Sequence, residues 1–173
     1  MIRIISGRYK GQKLQNIKSK DIRPTQARVK KSMLEILEPF NNKHVLDLFS
    51  GSGSLGIESL SRGANYIISI DNDRKNFNNI KNNFKKICFN DNYEIYCMDA
   101  INFLETSKQK FDIILSDPPY YKYDHMEIFK KSQPIIKKGG MFCMEMEKNL
   151  VDENIFRVKI YGESQVILWR NDE

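Results

Sequence analysis

Five short apolar runs, separated by polar segments of helical length, constrain the fold of this chain more than any other feature of its sequence. The runs are rich in Val, Ile and Tyr, and each is long enough for one β-strand: residues 45–49, 66–70, 93–98, 111–116 and 141–146. Between them, helical spacing or a helix-ending glycine predicts helices over residues 55–62, 74–87 and 126–136. This alternation is typical of an α/β, Rossmann-like fold, in which helices cover both faces of a mostly parallel sheet.

The two ends of the chain depart from this alternation. Residues 156–161 and 166–170 are strand-like runs joined by a short turn, which predicts an antiparallel hairpin at the edge of a seven-stranded sheet. Residues 3–6 and 8–17 predict two basic strands, and Thr25 is placed to cap the helix that follows them. We therefore expect an N-terminal addition to the α/β core.

The length and composition suit one domain with its own core. The chain has 173 residues, of which 40% are hydrophobic. We divide it into a basic N-terminal β extension over residues 1–22 and a single α/β domain over residues 23–173. The Asn-rich stretch at residues 78–83 is interpreted as a bias of composition without function.

The net charge of +6 hides a strong asymmetry along the chain. The first 31 residues contain ten Lys or Arg residues and one acid, so their charge is about +9, and the rest of the chain has about −3. A basic segment of this kind suits a polyphosphate partner such as a nucleic acid, although it can also be a solvated surface. The candidate phosphate contacts are Arg8, Lys10, Lys13, Arg23 and Arg28.

Several other classes of protein are disfavoured. No apolar run approaches the roughly 18 residues needed to cross a bilayer, and the first residues are too charged for a signal peptide, so we expect a cytoplasmic protein. The cysteines are far apart and form no CxxC pair, and the two histidines are isolated: Cys88, Cys97, Cys143, His44 and His125. Neither a disulfide nor a metal site is expected.

A glycine-rich loop after the first core strand predicts a nucleotide-type ligand. It contains a G-x-G-x-x-G pattern that starts at Gly51 and continues through Gly53, with Ser50 in front of it. Asp71 stands twenty residues after Gly51, where its carboxylate, with Asn72 beside it, can bind ribose hydroxyl groups. The loop by itself suits a dinucleotide equally well.

Asp47 and Asp99 refine this prediction. Asp47 lies late in the first strand, where a carboxylate repels a pyrophosphate but attracts an ammonium group, such as that of S-adenosylmethionine. We therefore predict S-adenosylmethionine as the cofactor, with a capping or loop-bonding role as the alternative for Asp47. Asp99 follows the third strand and, with the amide of Ala100, can contact an adenine edge or cap the next helix. Both alternatives stay open.

The tetrapeptide Asp117-Pro118-Pro119-Tyr120 follows a buried strand and is expected at the same sheet edge as the glycine loop. The lone pair of an exocyclic base amino group is delocalised into the ring, so methyl transfer requires acceptors for its N–H bonds. The Asp117 carboxylate and the Pro118 carbonyl supply such acceptors beside the cofactor, and the two prolines restrain the backbone. Tyr120 offers a ring on which an unstacked base can lie. The alternative for this tetrapeptide is an ordinary turn.

Nearly the whole chain resembles the bacterial 16S ribosomal RNA (guanine-N2)-methyltransferase family. The resemblance rests on residues 5–14, on Arg23-Pro24-Thr25 with Arg28-Val29, on residues 46–56, and on residues 117–120. It implies a class I methyltransferase domain with a small N-terminal extension that helps bind ribosomal RNA, and a guanine methylated on its 2-amino group as product. The chain departs from the family at Asp71, where a glutamate is frequent, and at Lys30-Lys31, where an acid often follows the Arg-Val pair.

Three rival functions follow from the same residues. An adenine-N6 methyltransferase acting on DNA or RNA needs the same tetrapeptide, but a sequence-specific DNA enzyme usually also needs a recognition module. A noncatalytic RNA-binding or assembly protein and a nicotinamide-dependent oxidoreductase are disfavoured by the intact residues 117–120. We expect a monomer that acts on ribosomal RNA within a small-subunit particle, without a metal ion or a membrane.

Overall fold

The computed structural model describes residues 2–15 and 24–172, and only the backbone of residues 24–26. Five α-helices, one 3-10 turn and seven strands lie in these ranges, in the following chain order: α1 (Pro24–Leu37), β1 (His44–Leu48), α2 (Ser54–Ser61), β2 (Tyr66–Asp71), α3 (Arg74–Ile87), β3 (Tyr93–Cys97), α4 (Ala100–Thr106), β4 (Phe111–Ser116), α5 (His125–Ser132), the 3-10 turn (Gln133–Ile135), β5 (Ile136–Glu147), β6 (Arg157–Tyr161) and β7 (Ser164–Arg170).

The strands form one sheet in the order β3-β2-β1-β4-β5-β7-β6. The first five of these are parallel, and β7 runs antiparallel to both β5 and β6. The predicted seven-stranded sheet and its C-terminal hairpin are therefore confirmed. The chain moves from β1 outward to β3 and then returns to the other side of β1 with β4. This reversal opens a crevice at the carboxyl ends of β1 and β4, which is the usual ligand site of such sheets.

The two faces of the sheet bury separate sets of helices. Val45 and Ile67 pack among buried residues of α1, α2 and α3. Their chain neighbours Leu46 and Ile68 point to the other face and pack among buried residues of α4 and α5. This alternation follows from the two-residue period of a strand. Full burial of each such side chain stabilises the fold by about 1.5–3 kcal/mol.

The end of α5 corrects the predicted helix over residues 126–136. The regular helix stops at Ser132 and continues only as a 3-10 turn that contains Pro134. A proline has no amide proton and crowds the preceding turn, so the helix cannot run through it. At the other end, Asp124 caps the helix by accepting amide protons from its first turn, of which Met126 is the nearer donor at 2.9 Å. Strand β5 consequently starts five residues earlier than predicted, at Ile136.

The predicted N-terminal strands are also corrected. Arg3 and Lys13 form one isolated antiparallel bridge, and a turn lies between them. The carboxylate of Glu58 on α2 accepts the amide protons of Ile5 and Ser6, with nitrogen-to-oxygen distances of 2.9–3.0 Å. Because a helix side chain satisfies these amides, the segment needs no regular ladder with a second strand.

Two asparagines of α3 hold the end of this N-terminal segment. The side chain of Asn83 accepts the amide proton of Gln15 at 2.8 Å and donates to its carbonyl and to that of Ser52, both at 2.9 Å. Asn79 donates to the same Gln15 carbonyl at 3.0 Å. The interpretation of the Asn-rich stretch as mere composition was therefore wrong for these two residues. The remainder of the second predicted strand, residues 16 and 17, lies outside the described ranges.

Helix α1 begins at Pro24, one residue before the predicted cap Thr25, whose side chain is not among those described. Proline suits the first helical position, because the amide it lacks has no partner within the helix. Ile4 and Leu14 are buried in the same core as α1, α2 and α3. The division of the chain into an extension and a domain stays a prediction.

Candidate active site

An open cavity of about 570 Å³ lies at the carboxyl ends of β1, β2 and β4. Its volume is within the range of small-molecule sites. The lining comes from the ends of these strands, the loops after them and one residue each of α1 and α3: Lys30, Phe49, Ser50, Gly51, Asp71, Asn72, Asp73, Asn76, Asp117, Pro118, Pro119, Tyr120, Lys122 and Tyr123. The four predicted catalytic residues and five of the nine predicted cofactor residues therefore line one cavity. Four of the predicted cofactor residues do not line the cavity: Asp47, Gly53, Asp99 and Ala100.

Asp47 lies beneath the glycine loop and is fully buried. Its Oδ2 accepts hydrogen bonds from the Ser50 hydroxyl and from the Gly56 amide, the latter at 3.2 Å. A Cβ on Gly56 would lie 2.9 Å from Ser69 Oγ, so only glycine allows this approach. For Oδ2 of Asp47, the structure therefore shows the alternative role, in which the carboxylate binds the loop. Oδ1 is buried without a hydrogen-bond partner in the described chain, and a contact with an ammonium group stays a prediction.

Asp71 closes the other side of the loop. Its Oδ2 accepts the Gly51 amide proton at 2.8 Å, and its Oδ1 accepts that of Asp73 at 2.9 Å. Gly51 has φ +58°, and a Cβ there would meet no heavy atom within 4 Å, so the backbone faces open space. The Asp71 carboxylate is therefore held at the edge of the cavity in a fixed orientation. Its contact with ribose hydroxyl groups stays a prediction.

Asp99 caps α4, as one of its two interpretations predicts. Its Oδ1 accepts amide protons from the first turn of that helix, which begins with the buried residue Ala100. Its Oδ2 accepts a hydrogen bond from the hydroxyl of Tyr123 at 2.9 Å, and that hydroxyl accepts one from Asn72 at 3.3 Å. The ring of Tyr123 packs edge-on against Phe49, with 4.8 Å between centroids. The proposed adenine contact of Asp99 stays untested.

The tetrapeptide of residues 117–120 follows the end of β4 and lines the cavity. Oδ2 of Asp117 lies 3.2 Å from Nζ of Lys30. The hydroxyl of Tyr120 donates to Glu145 on β5 at 3.2 Å and lies 2.6 Å from Ser164 Oγ on β7. Burial raises the pKa of Tyr120, so this hydroxyl keeps its proton. Tyr120 is 37% exposed, and the hydrogen bonds of its hydroxyl hold the ring in place.

Sequence reasoning missed two charged residues of this site. Burial alone lowers the pKa of Lys30, but Asp117, Asp47 and Glu145 more than compensate, so its pKa is raised and the ammonium stays charged. Glu145 is 1% exposed, and burial, aided by the charge of Asp117, raises its pKa to about 7. An acid inside an apolar strand was the available signal for Glu145. Lys30 was hidden among the other basic residues of the N-terminal part.

The predicted RNA contacts are spread over the molecule. Arg8 pairs with Asp91, which precedes β3, and its amide donates to Ser61 at the end of α2 at 2.9 Å. Arg8 therefore lies at the edge where the parallel strands begin, opposite the cavity. Arg23 lies outside the described ranges. The other candidates are exposed: Lys10, Lys13 and Arg28.

Neither a metal cluster nor a membrane helix appears among residues 2–15 and 24–172. No group of three or more His, Cys, Asp or Glu side chains in these ranges is placed to hold a metal ion. None of the helices found there combines the length and the apolar character that a bilayer crossing requires. The three cysteines are free.

Residues 2–170 match the family described as Conserved hypothetical protein 95. The chain belongs to this family. It is 33% identical to ribosomal RNA small subunit methyltransferase D of Buchnera aphidicola, over 97% of this chain and 92% of the relative. It is 38% identical to YlbH of Bacillus subtilis, a proposed rRNA methyltransferase, over 98% of each chain. These matches confirm the resemblance on which the sequence analysis relied.

The solved structures place the same fold in the same class. The Escherichia coli protein yhhF, a proposed methyltransferase, superimposes with a TM-score of 0.87 and 26% identity, over 99% of this chain and 98% of that one. The class I methyltransferase fold is therefore confirmed, together with the methyltransferase class of the family.

The buried carboxyl group of Asp47 predicts a pH dependence of stability. Burial raises the pKa of this group from 3.8 to about 7, so the folded chain binds its proton more tightly than the unfolded chain. The free energy of unfolding of the cofactor-free chain should therefore fall as the pH rises from about 4 to about 7, by up to about 1.4 kcal/mol for each unit of raised pKa. Asp47→Asn removes the titrating group and should make this fall smaller. Urea unfolding across this pH range measures it.

Glu153→Gln is the matched control for this prediction, because Glu153 is exposed and should not change the pH dependence. Glu145, whose pKa is also raised to about 7, should account for the part of the fall that remains in Asp47→Asn. Equal pH dependence of wild type and Asp47→Asn would contradict the raised pKa.

Proposed function

We propose that this chain is an S-adenosylmethionine-dependent methyltransferase that transfers a methyl group to the exocyclic 2-amino group of a guanine in 16S ribosomal RNA. The observation that carries the proposal is the position of Asp117-Pro118-Pro119-Tyr120 in the same cavity as the glycine loop. The Buchnera relative is an rRNA small subunit methyltransferase by name, and that supports the choice of substrate.

The residues around the cavity fit the proposed cofactor. Asp71 presents a carboxylate at the end of β2, where ribose hydroxyl groups can donate to it. Ser50 and Gly51 line the same wall, and Gly51 leaves open space where a side chain would stand. The unpartnered Oδ1 of Asp47 adds negative charge below the loop, which favours a cationic ligand. When bound, S-adenosylmethionine supplies a methyl group on a sulfonium, which is already a good leaving group.

The reaction then depends mainly on how the base amino group is held. The carboxylate of Asp117 and the carbonyl of Pro118 accept hydrogen bonds from the two N–H groups of this amino group. These bonds free the nitrogen lone pair from the ring and direct the lone pair toward the methyl group. Pro118 and Pro119 fix their own φ angles, so the two acceptors keep their spacing. These acceptors also stabilise the positive charge that develops on the nitrogen during transfer.

Tyr120 forms the stacking surface for the unstacked base. Its hydroxyl is held by Glu145 and Ser164, so the ring cannot turn freely. Tyr120→Phe therefore removes a hydrogen bond from the buried carboxyl group of Glu145, and we expect it to be costly. The ring of the next residue, Tyr121, is 88% exposed and packs edge-on against Tyr120, with 6.3 Å between centroids.

Ribosomal RNA binds through exposed basic residues of the N-terminal part. Lys10, Lys13 and Arg28 have no acidic partner among the described residues, whereas Arg8 is occupied by Asp91. Arg28 lies on α1, two residues before the cavity residue Lys30. We place the substrate within a small-subunit particle, and the enzyme acts on it as a monomer in the cytoplasm.

A product assay tests this function. Labelled S-adenosylmethionine is supplied with 16S ribosomal RNA, assembled small subunits or DNA, and the methylated nucleoside is identified by mass spectrometry. We expect N2-methylguanosine from a ribosomal substrate. Asp117→Ala should lower turnover by about 100-fold or more, the scale of a lost transition-state acceptor, with a much smaller change in cofactor affinity.

Asp172→Ala is the control, because Asp172 is an exposed acid near the C-terminus that pairs only with Arg170. N6-methyladenosine or its deoxy form as the product would favour the adenine enzyme instead. The noncatalytic alternative would be favoured by binding of RNA without a methylated product on any of the three substrates.

The salt dependence of RNA binding tests the role of the basic residues. Replacing Lys10, Lys13 and Arg28 with Ala removes three proposed phosphate contacts, each of which contributes about 0.7–0.9 to the slope of log affinity against log salt. The slope should therefore flatten by about 2–3, while the affinity for S-adenosylmethionine stays unchanged. The matched control is the triple alanine variant of Lys108, Lys130 and Lys148, three exposed lysines outside the N-terminal part. Equal slopes for the two triple variants would leave Lys122 at the cavity and Lys137-Lys138 as the next candidates.

A further inference from the structure

Lys30 is the cation that faces the carboxylates of the active site. It lies on α1, and its Nζ is 3.2 Å from Oδ2 of Asp117. Asp47 and Glu145 are close enough to raise the pKa of the lysine further. The ammonium group therefore contacts Asp117, and acids of β1 and β5 add to the negative charge near it, in a place where the Lys30 and Asp117 side chains are 28% and 21% exposed.

We propose that Lys30 is a positioning residue of the methyl transfer, which holds one carboxylate oxygen of Asp117 and leaves the other to accept an N–H of the base. A carboxylate has two oxygens and about four acceptor positions, so one ion pair does not saturate it. The inference rests on the proposed function, because it assigns Asp117 the role of amino-group acceptor. Lys30 acts through Asp117 and needs no contact with the base.

The need for a cation comes from Glu145. Its Oε1 accepts from Tyr120, but its Oε2 is buried without a hydrogen-bond partner in the described chain. The charge of Asp117 raises the pKa of Glu145, and the charge of Lys30 lowers it. Without Lys30, the carboxylates of Asp117 and Glu145 would repel each other. The repulsion would turn the Asp117 carboxylate away from the position in which it accepts the base N–H, or would bring a proton to Glu145, whose pKa burial already raises to about 7.

The position of Lys30 is fixed by the core packing of α1. Val29 directly precedes Lys30 and Met33 follows it three residues later, and both are completely buried. Lys31, the next residue, points to solvent, where it is 54% exposed and pairs with Glu35 at 3.6 Å. Two adjacent lysines thus have different surroundings: one faces the active site, and the other lies on the surface. The pair provides a matched test within a single helix.

The test compares Lys30→Gln with Lys31→Gln in the full chain, with Lys30→Arg as the conservative variant. We expect Lys30→Gln to lower kcat by about 10- to 100-fold, the cost of a misplaced catalytic group, with a smaller change in KM for RNA. The acid limb of the pH–rate profile should move to higher pH, because Glu145 and Asp47 lose the cation that lowers their pKa values, while Tyr120 stays neutral. Lys30→Arg should restore the wild-type profile, and Lys31→Gln should match wild type throughout.

A second measurement does not depend on activity. Without the ammonium, the ionised carboxylates repel each other, so Lys30→Gln should lose more stability relative to wild type at pH 8 than at pH 5. Lys31→Gln should show no such difference in urea unfolding. A wild-type pH–rate profile and kcat in Lys30→Gln would overturn the inference, as would equal losses of stability at the two pH values. Failure of the wild-type chain to methylate any RNA would count against the proposed function, and the stability comparison would still decide the role of Lys30.

Discussion

The hydrogen bonds that Asp47 accepts from Ser50 and Gly56 set the shape of the glycine loop, and the rest of the site depends on that loop. A fully buried carboxylate is costly unless it has such partners. Strand β1 lies between β2 and β4, so the loop at the end of β1 is next to the ends of both neighbours. The Gly51 amide of this loop donates to Asp71 at the end of β2, and the loop faces Asp117, which follows β4, across the crevice. One buried acid therefore fixes the glycine loop that lines the cavity opposite the end of β4.

The distribution of charge separates the two proposed ligands. The cavity is lined by three acids, Asp71, Asp73 and Asp117, which suits a cationic cofactor, whereas the exposed Lys10 and Lys13 suit RNA phosphates. The turn with Arg8 lies where the parallel strands begin, next to Asp91 and Ser61, whereas the cavity lies where they end. A substrate that reaches both places must be large. Structured ribosomal RNA meets that requirement better than a short oligonucleotide.

Local patterns in the sequence predicted most of the fold and much of the site. The strand runs, the glycine loop and residues 117–120 each carry their information within a few neighbouring residues. Contacts that join distant segments were not predictable in this way, because no local pattern encodes them: the pair of Lys30 with Asp117, the burial of Glu145, and the bonds from Asn83 to Gln15. The early end of α5 was the exception, since Pro134 was visible in the sequence. For Asp47 and Asp99, burial and capping geometry showed interactions that the sequence had left open.

The central claim is that the cavity at the ends of β1, β2 and β4 binds the methyl donor next to Asp117. A crystal structure of the chain with S-adenosylhomocysteine, the demethylated cofactor, tests this most directly. The account predicts the ribose hydroxyl groups within hydrogen-bond distance of the Asp71 carboxylate and the sulfur on the side of the cavity that Asp117 and Tyr120 line. A ligand bound outside this cavity, or one whose sulfur points away from Asp117, would contradict it.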